Sequence, residues 1–393
     1  MHLDLVDPAT FAEGPPHTYF DYLRAQDPCH LQDDPRGGKL WSLTRHADIR
    51  ALSMDKERFT SAFGFLYPNV PAGTRGEDNL MFTDGPRHAR LRSFLAGSFS
   101  PRVVAQFDHW IREICVAIVS KVKTVGSFDA IAEIAAELPA QVIASILGVP
   151  NEDRHNIVTW ATALFGRMDP EIGIQGYMAA RTQVEAYALE LRELKRKQPG
   201  ADMATELMLA TAADGPITDG EYQQSVYSLM IAGFETTHTL IAQSLLLMAS
   251  DPDVQRQVDE APRESLREVI DEFLRVVSPV NHMGRTALQD VEIHGKQIKK
   301  GDFVMMWYAA GNRDPEVYQD PHRYNYRRDR KGHIAFGGGG AHFCIGAHLA
   351  RLEVEILLDE FRKAGLKLEL DGAPQRAIDV AINAIRRLPM KAV

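Results

Sequence analysis

The residues best suited to chemistry lie in one glycine-rich segment near the C-terminus. It reads Phe336-Gly-Gly-Gly-Gly-Ala-His-Phe-Cys344-Ile-Gly346-Ala-His348, and a helical apolar pattern follows it. A cysteine where a loop enters a helix lies near the positive end of the helix dipole, which favours the thiolate. A thiolate is both a nucleophile and a soft metal ligand. The glycines would let the backbone pass close to a flat, bulky group.

Three other interpretations of this segment remain open. Glycine runs are usually flexible loops, and a lone buried cysteine is usually an inert small hydrophobe. A phosphate-binding loop would require a Gly-Lys-Ser/Thr sequence, which does not follow here. A zinc site built from His342, Cys344 and His348 would lack the paired cysteines typical of such sites.

A second segment, Ala232-Gly233-Phe-Glu235-Thr236-Thr237, places a carboxyl beside a hydroxyl within a long helical pattern. A carboxyl and a hydroxyl can pass a proton to a reacting group. Glycine inside a helix costs about 1 kcal/mol relative to alanine, so it needs a reason to be there. A site of close helix packing is the simplest reason when the segment is considered alone.

Charged pairs at helical spacing occur in two further places. Glu272 and Arg275 share a helix face at i,i+3, and His88 and Arg92 do so at i,i+4. Considered alone, Glu272 and Arg275 would be an ordinary surface ion pair worth about 0 to 1 kcal/mol. His88 and Arg92 would be solvated surface charges.

Taken in order, these segments resemble the cytochrome P-450 family, whose haem-binding loop reads Phe-Gly-x-Gly-x-His/Arg-x-Cys-x-Gly. Gly340, His342, Cys344 and Gly346 fall at the family's spacings. Phe336 lies eight residues before the cysteine instead of the usual seven, so the loop carries an extra residue. The resemblance implies that Cys344 is the axial ligand of a haem b iron and that the Phe336 ring covers the sulfur.

The resemblance also implies roles for residues elsewhere in the chain. Donors to the haem propionates would be His88, Arg92, Arg285 and His342. A buried triad holding the cysteine loop would be Glu272, Arg275 and Arg323. Residues of the long helix beside the haem would be Ala232 and Gly233, with Glu235 and Thr236 delivering protons and Thr237 as the competing hydroxyl.

By the same resemblance, the chain is a haem-thiolate monooxygenase that uses O2 to hydroxylate a hydrophobic small molecule. The extra residue of the loop and the Gly-Phe-Glu-Thr-Thr segment resemble branches of the family that act on terpenoid, steroid or lipid-like molecules, so substrates of these classes are favoured. Pocket residues expected by analogy are Phe63, Phe65, Leu66, Met81, Met230, Val280, Met283 and Ile382. A peroxide-using peroxygenase and a non-catalytic haem sensor or carrier are the alternatives.

Electrons are expected from a separate ferredoxin served by an NAD(P)H-dependent reductase, since 393 residues leave no room for a fused reductase. A basic cluster upstream of Cys344 could attract an acidic ferredoxin by charge. Its members are Arg327, Arg328, Arg330 and Lys331.

The elements that must position these residues are mainly helical. A capping box at Thr218-x-x-Glu221 predicts a long helix to about Met248, and a last helix is expected over about 345–364. Strands are expected over 40–44, over about 286–306 and as a pair in the tail, 367–393. The fold class expected is therefore mainly α with small β-sheets, a cytochrome P-450 fold in one domain over 1–393, with haem between the long helix and the Cys344 loop.

The composition narrows the class of protein. With 45% hydrophobic and 25% charged residues the chain is typical of globular proteins, and its net charge of −9 argues against nucleic-acid binding. Three scattered cysteines give no disulfide framework, so we expect a reducing, cytoplasmic setting. The protein is expected to be a monomer. Neither a signal peptide nor an apolar run of the roughly 20 residues needed to cross a membrane is present.

Overall fold

A computed structural model describes residues 3–35, 37–67, 78–165, 171–329 and 332–393. Its α-helices are α1 (His17–Gln26), α2 (His46–Met54), α3 (Gly85–Ala96), α4 (Pro101–Val104), α5 (Asp108–Val122), α6 (Glu137–Leu147), α7 (Arg154–Phe165), α8 (Gly173–Lys197), α9 (Met203–Met208), α10 (Asp219–Ser250), α11 (Pro252–Glu260), α12 (Leu266–Val277), α13 (Tyr308–Gly311) and α14 (Ala347–Lys363).

The strands are short and form small sheets. They are β1 (Cys29–Asp33), β2 (Lys39–Leu43), β3 (Phe59–Thr60), β4 (Ser127–Asp129), β5 (Thr211–Ala212), β6 (Gly215–Pro216), β7 (His282–Ala287), β8 (Val291–Ile293), β9 (Lys296–Ile298), β10 (Phe303–Trp307), β11 (Leu368–Leu370), β12 (Gln375–Arg376), β13 (Ile385–Arg387) and β14 (Pro389–Ala392).

Contacts between residues divide the chain into two compact units. Unit 1 comprises residues 1–89, 271–344 and 378–383, and unit 2 comprises 90–270, 345–377 and 384–393. The divisions fall within α3 and α12, so each unit is assembled from distant parts of the sequence. The expectation of one domain over 1–393 stays a prediction.

Unit 1 is built on a five-stranded sheet in the order β1-β2-β10-β7-β3. All five residues of β10 are buried, as a central strand covered on both faces requires. Trp307 at its end is fully buried between Phe11 and Phe20, with ring centroids 5.6 and 5.1 Å away. This apolar cluster fixes the sheet that carries Arg285.

Unit 2 is built around α10, which packs on α6, α7 and α8. The capping box predicted at its start is present: the Thr218 hydroxyl accepts from the Glu221 N–H, and the Glu221 carboxylate accepts from the Thr218 N–H. The predicted long helix and the predicted last helix are confirmed within a few residues. No helix among the described residues is long and apolar enough to cross a membrane.

The tail departs from its prediction. In place of one strand pair, β11 and β14 join β4 in a three-stranded sheet, and β12 pairs separately with β13. The third strand comes from residues 127–129, more than 200 positions away, which tail periodicity could not indicate.

Candidate active site

The glycine-rich segment forms a closed loop in unit 1 that ends at Cys344. The Cys344 N–H donates to the Phe336 carbonyl at 3.0 Å, so residues 336–344 turn back on themselves. The Phe336 ring lies 5.6 Å from the ring of His333 and 6.4 Å from that of Phe343. After the loop, α14 begins at Ala347, with Gly346 as its N-cap.

The environments of the three cysteines differ. Cys29 and Cys115 are fully buried, whereas Cys344 is exposed. Burial raises the pKa of the Cys29 thiol to about 12 and also raises that of Cys115. The two buried cysteines are thus held as neutral thiols, which leaves Cys344 as the candidate ligand.

Two of the four predicted propionate donors lie side by side in unit 1. The rings of His88 and His342 are 4.3 Å apart. His342 Nε2 donates to the Asp84 carboxylate at 2.9 Å and lies 3.2 Å from the Ser61 hydroxyl. Burial alone would raise the pKa of the Asp84 carboxyl, but hydrogen bonds from His342 and Thr60 hold it below its usual range. No motif in the sequence singles out Asp84 as a partner of His342, although it lies only four residues before His88.

Arg285, the third predicted donor, is a buried cation on β7. Arg285 is 7% exposed, and its Nη1 donates to the Gly284 carbonyl at 2.7 Å. Among the described residues no carboxylate lies within ion-pair distance of it. Burial lowers the pKa of the guanidinium, and the charges of Tyr308 and Asp84 offset this only in part. Arg92, the fourth predicted donor, is half-buried on α3 in unit 2.

The predicted buried pair of α12 is present. Two hydrogen bonds of 2.8 Å join Arg275 to Glu272, and the two side chains are 2% and 4% exposed. Arg275 also donates to the carbonyls of Asn312, Pro321 and Arg323.

The third partner of this pair requires a correction. Arg323 enters the network through its carbonyl oxygen, whereas the second guanidinium on Glu272 belongs to Arg328, whose Nε lies 2.8 Å from Oε1. The side chain of Arg328 is 9% exposed. Arg328 therefore leaves the predicted basic cluster, Arg327 remains exposed, and Arg330 and Lys331 lie outside the described residues.

In unit 2, the segment carrying Glu235 and Thr236 includes a solvent-accessible patch in the otherwise buried middle of α10, which we call the opening on α10. Between residues 224 and 245 of α10, every described side chain is buried except those at Ala232, Gly233 and Thr236. The Thr236 hydroxyl donates to the Ala232 carbonyl at 2.8 Å. Thr237 points away from the opening and is 3% exposed. Gly233 packs closely on α6, since an added Cβ would meet Ile143 at 3.0 Å.

Glu235 lies on the buried side of α10 with a partner that sequence analysis missed. Its carboxylate is 3.5 Å from His238 Nδ1, and both residues are buried. The His238 ring also stacks on Phe234, with centroids 5.5 Å apart. The i,i+3 spacing of Glu235 and His238 could have indicated this contact.

Most of the predicted pocket residues lie in unit 1. Val280 and Ile382 form an isolated β-bridge, and the Gly284 N–H donates to the Phe65 carbonyl, which places Phe65 beside the strand of Met283. Phe63 is 51% exposed. Leu66 and Met81 are half-buried, and the predicted wall between them falls largely on 68–77, outside the described residues. Met230, in unit 2, is buried on α10.

The structure allows two of the sequence-based expectations to be compared with observation: the location of the substrate pocket and the zinc alternative. A groove of about 690 Å³ in unit 2 is lined by parts of α5, α6 and α9 and includes none of the predicted pocket residues. Among the residues described, no group of three or more His, Cys, Asp or Glu side chains could hold a metal ion. The zinc alternative therefore has no support.

Comparison with known proteins identifies the family. Residues 173–361 match the family described as Cytochrome P450. The steroid C26-monooxygenase of Mycobacterium tuberculosis is 33% identical over 396 residues, which cover 98% of this chain and 91% of that relative. The chain belongs to the cytochrome P450 family. A methyl-branched lipid omega-hydroxylase from the same organism is 31% identical over 366 residues, covering 90% of this chain and 84% of that relative.

Solved structures agree with this cytochrome P450 assignment. A Mycobacterium marinum cytochrome P450 in complex with pseudoionone superimposes with a TM-score of 0.93 and 28% sequence identity, covering all of this chain and 98% of the other. The mainly α fold class is thereby confirmed. Relatives with monooxygenase activity confirm the expected enzyme class, a P450 monooxygenase, and the family confirms haem b as its cofactor.

The residues of this chain fit that cofactor. An exposed cysteine ends the glycine loop, and Arg285 is a buried cation with no carboxylate beside it among the described residues, as a propionate-binding residue would be.

Proposed function

We propose that this cytochrome P450 hydroxylates a steroid or branched lipid, with Cys344 as the iron ligand and Thr236 and Glu235 as the proton-delivering residues. When bound, haem supplies the activation of O2. The observation that carries the assignment of Thr236 is the opening on α10, where Thr236 is the hydroxyl residue that is not buried.

The roles of the other residues follow from charge and position. His88, Arg92, Arg285 and His342 would hold the two propionates, and Asp84 would orient His342 toward them. The Glu272–Arg275 pair, with Arg328 and the Arg323 carbonyl, would fix the chain that leads to the Cys344 loop. Charge-assisted bonds of this kind are stronger than neutral ones, which suits a group that must be retained.

Proton delivery would pass from Glu235 to the Thr236 hydroxyl. In the structure this hydroxyl donates to the Ala232 carbonyl, so it must rotate before it can donate into the opening. Glu235 is on the buried face beside His238, about 100° around the helix from Thr236. Glu235 can therefore receive a proton away from the opening and return it to Thr236 after each turnover.

A matched pair of threonines tests this role. We expect Thr236→Ala to bind substrate and consume NADH in a reconstituted system but to release mainly hydrogen peroxide. Thr237→Ala, one residue away and buried, should keep the normal yield of product per NADH. If Thr237→Ala uncouples and Thr236→Ala does not, Thr237 is the delivering hydroxyl.

The substrate class is supported by two relatives, which are named as a steroid C26-monooxygenase and a methyl-branched lipid omega-hydroxylase. The exposed apolar ring of Phe63 also supports it. The electron donor proposed is a separate ferredoxin served by an NAD(P)H-dependent reductase. Its support is the charge of Arg327, Arg330 and Lys331 in an acidic chain.

Spectral titration tests the substrate class. Steroids and methyl-branched fatty acids should change the spin state of the haem, and addition of ferredoxin, reductase and NADH should then give a hydroxylated product. Spin-state changes with small aromatic compounds alone would contradict the proposed class. Binding of steroids without NADH-dependent product would instead indicate a sensor or carrier.

A further inference from the structure

The short helix α2 contacts the chain that leads into the Cys344 loop at one end and the loop itself at the other. At its C-terminal end, the Ser53 hydroxyl donates to the Gly339 carbonyl at 3.1 Å. At its N-terminal end, His46 Nε2 donates to the Gly332 carbonyl, also at 3.1 Å. Both bonds join residues 286 positions apart within unit 1, and together they span residues 332–339.

The glycine run is shaped by this contact. A Cβ added to Gly338 would lie 2.8 Å from the Ser53 Cβ and 3.0 Å from the Ile49 carbonyl oxygen. A Cβ on Gly340, where φ is +80°, would lie 2.9 Å from the Ser53 carbonyl oxygen. Contacts this short exclude a larger residue at either position, so the loop has glycines where the last turn of α2 touches it.

Contacts with other parts of unit 1 fix α2 independently of the loop. The His46 N–H donates to the Asp314 carboxylate at 2.9 Å, and Ile49 is fully buried. The His46 ring also meets the Tyr318 ring edge-on, with centroids 6.1 Å apart. The helix is thus a rigid surface against which the loop can be ordered.

We propose that α2 is the template for this loop and that Ser53 is a positioning residue for the Cys344 thiolate. The proposal rests on the proposed role of Cys344 as iron ligand. The bond between Cys344 N–H and the Phe336 carbonyl closes the loop, and Ser53 holds it near its midpoint, Gly339. The extra residue of this loop is accommodated by laying the glycine run along α2.

Hydrogen exchange of the holoenzyme tests the template. Loss of one neutral hydrogen bond in Ser53→Ala should speed amide exchange in residues 337–343 by about fivefold, because the loop opens more often. It should also increase the fraction of carbon-monoxide complex without the band diagnostic of thiolate ligation. Ser120→Ala, at an exposed position on α5, is the control and should change neither.

A second pair of variants tests the template without changing the hydrogen bond between Ser53 and Gly339. Gly338→Ala should disturb the same amides and the same band, whereas Gly126→Ala, where an added Cβ meets nothing within 4 Å, should not. Unchanged loop exchange in Ser53→Ala, or equal acceleration along the whole chain, would overturn the template. Faster loop exchange with an unchanged band would overturn the positioning role. Hydrogen exchange does not depend on the identity of the iron ligand, so failure of the Cys344 assignment would be seen separately.

Discussion

The three cysteines of the chain differ in their exposure to solvent, and exposure decides how readily a thiol forms a thiolate. Burial stabilises the neutral thiol of Cys29 and of Cys115, because a thiolate there would lose more solvation than the charges of Lys296 and Arg112 restore. Cys344 is exposed at the end of a loop closed by its own N–H. Local solvation thus leaves Cys344 as the cysteine proposed to bind the iron.

This selection gives a direct prediction for the iron ligand. Cys344→Ser should remove the carbon-monoxide band of the thiolate complex, because an alcohol near neutral pH is a poor donor to iron. Cys29→Ala and Cys115→Ala should keep the band, with some loss of stability from the smaller buried side chain. The ferrous carbon-monoxide spectrum of each purified variant is the measurement, and a band that persists in Cys344→Ser would refute the assignment.

Among the elements, the segment between α13 and the Cys344 loop is stabilised by a buried charge network. Glu272 accepts hydrogen bonds from Arg275, Arg328 and the Asn325 N–H. A buried carboxylate of this kind is stable only while its partners remain, since removal of one leaves charge without compensation. The network therefore acts on a long irregular segment that has little secondary structure of its own.

Two adjacent arginines make this network testable. Arg328→Ala should lower the free energy of unfolding by about 3 kcal/mol, because it removes a buried partner of Glu272. Arg327→Ala should change it by less than about 0.5 kcal/mol, since that side chain is exposed over the Tyr326 ring. Urea unfolding and the haem content after purification measure both effects. If the two variants lose the same free energy of unfolding and the same haem content, the contact between the Arg328 guanidinium and Glu272 does not stabilise this segment.

The extent to which the sequence predicts these elements depends on how local the signal is. The capping box at Thr218 and the i,i+3 pair of α12 lie within one helical turn, and both were found. Arg328, and not Arg323, places its guanidinium on Glu272. Predicting this would have required the path of an irregular segment, and sequence periodicity does not describe such a path. The contacts of Ser53 with Gly339 and of Asp84 with His342 join residues 286 and 258 positions apart, so only the folded chain shows them.

At the scale of the whole molecule, buried histidines make stability depend on pH. His282 is fully buried beside Trp307, with ring centroids 4.9 Å apart, and burial lowers its pKa to about 3. Burial also lowers the pKa of His17 and of His46. All three lie in unit 1, so acid should act on that unit first.

The sign of this effect follows from proton binding. Well above pH 6.5 His282 is neutral in both the folded and the unfolded chain and contributes no pH dependence. As the pH falls below 6.5 the unfolded chain binds a proton that the folded chain does not, so the free energy of unfolding decreases until about pH 3. Between pH 6.5 and 5 this one residue should remove about 1 to 2 kcal/mol.

His282→Leu should therefore lose less stability over this range than the wild type, whatever its stability at pH 8. His109→Gln, at an exposed position on α5, should follow the wild type. Urea unfolding at pH 8, 6.5 and 5 compares the three proteins, and an unchanged slope in His282→Leu would assign the acid sensitivity to other groups.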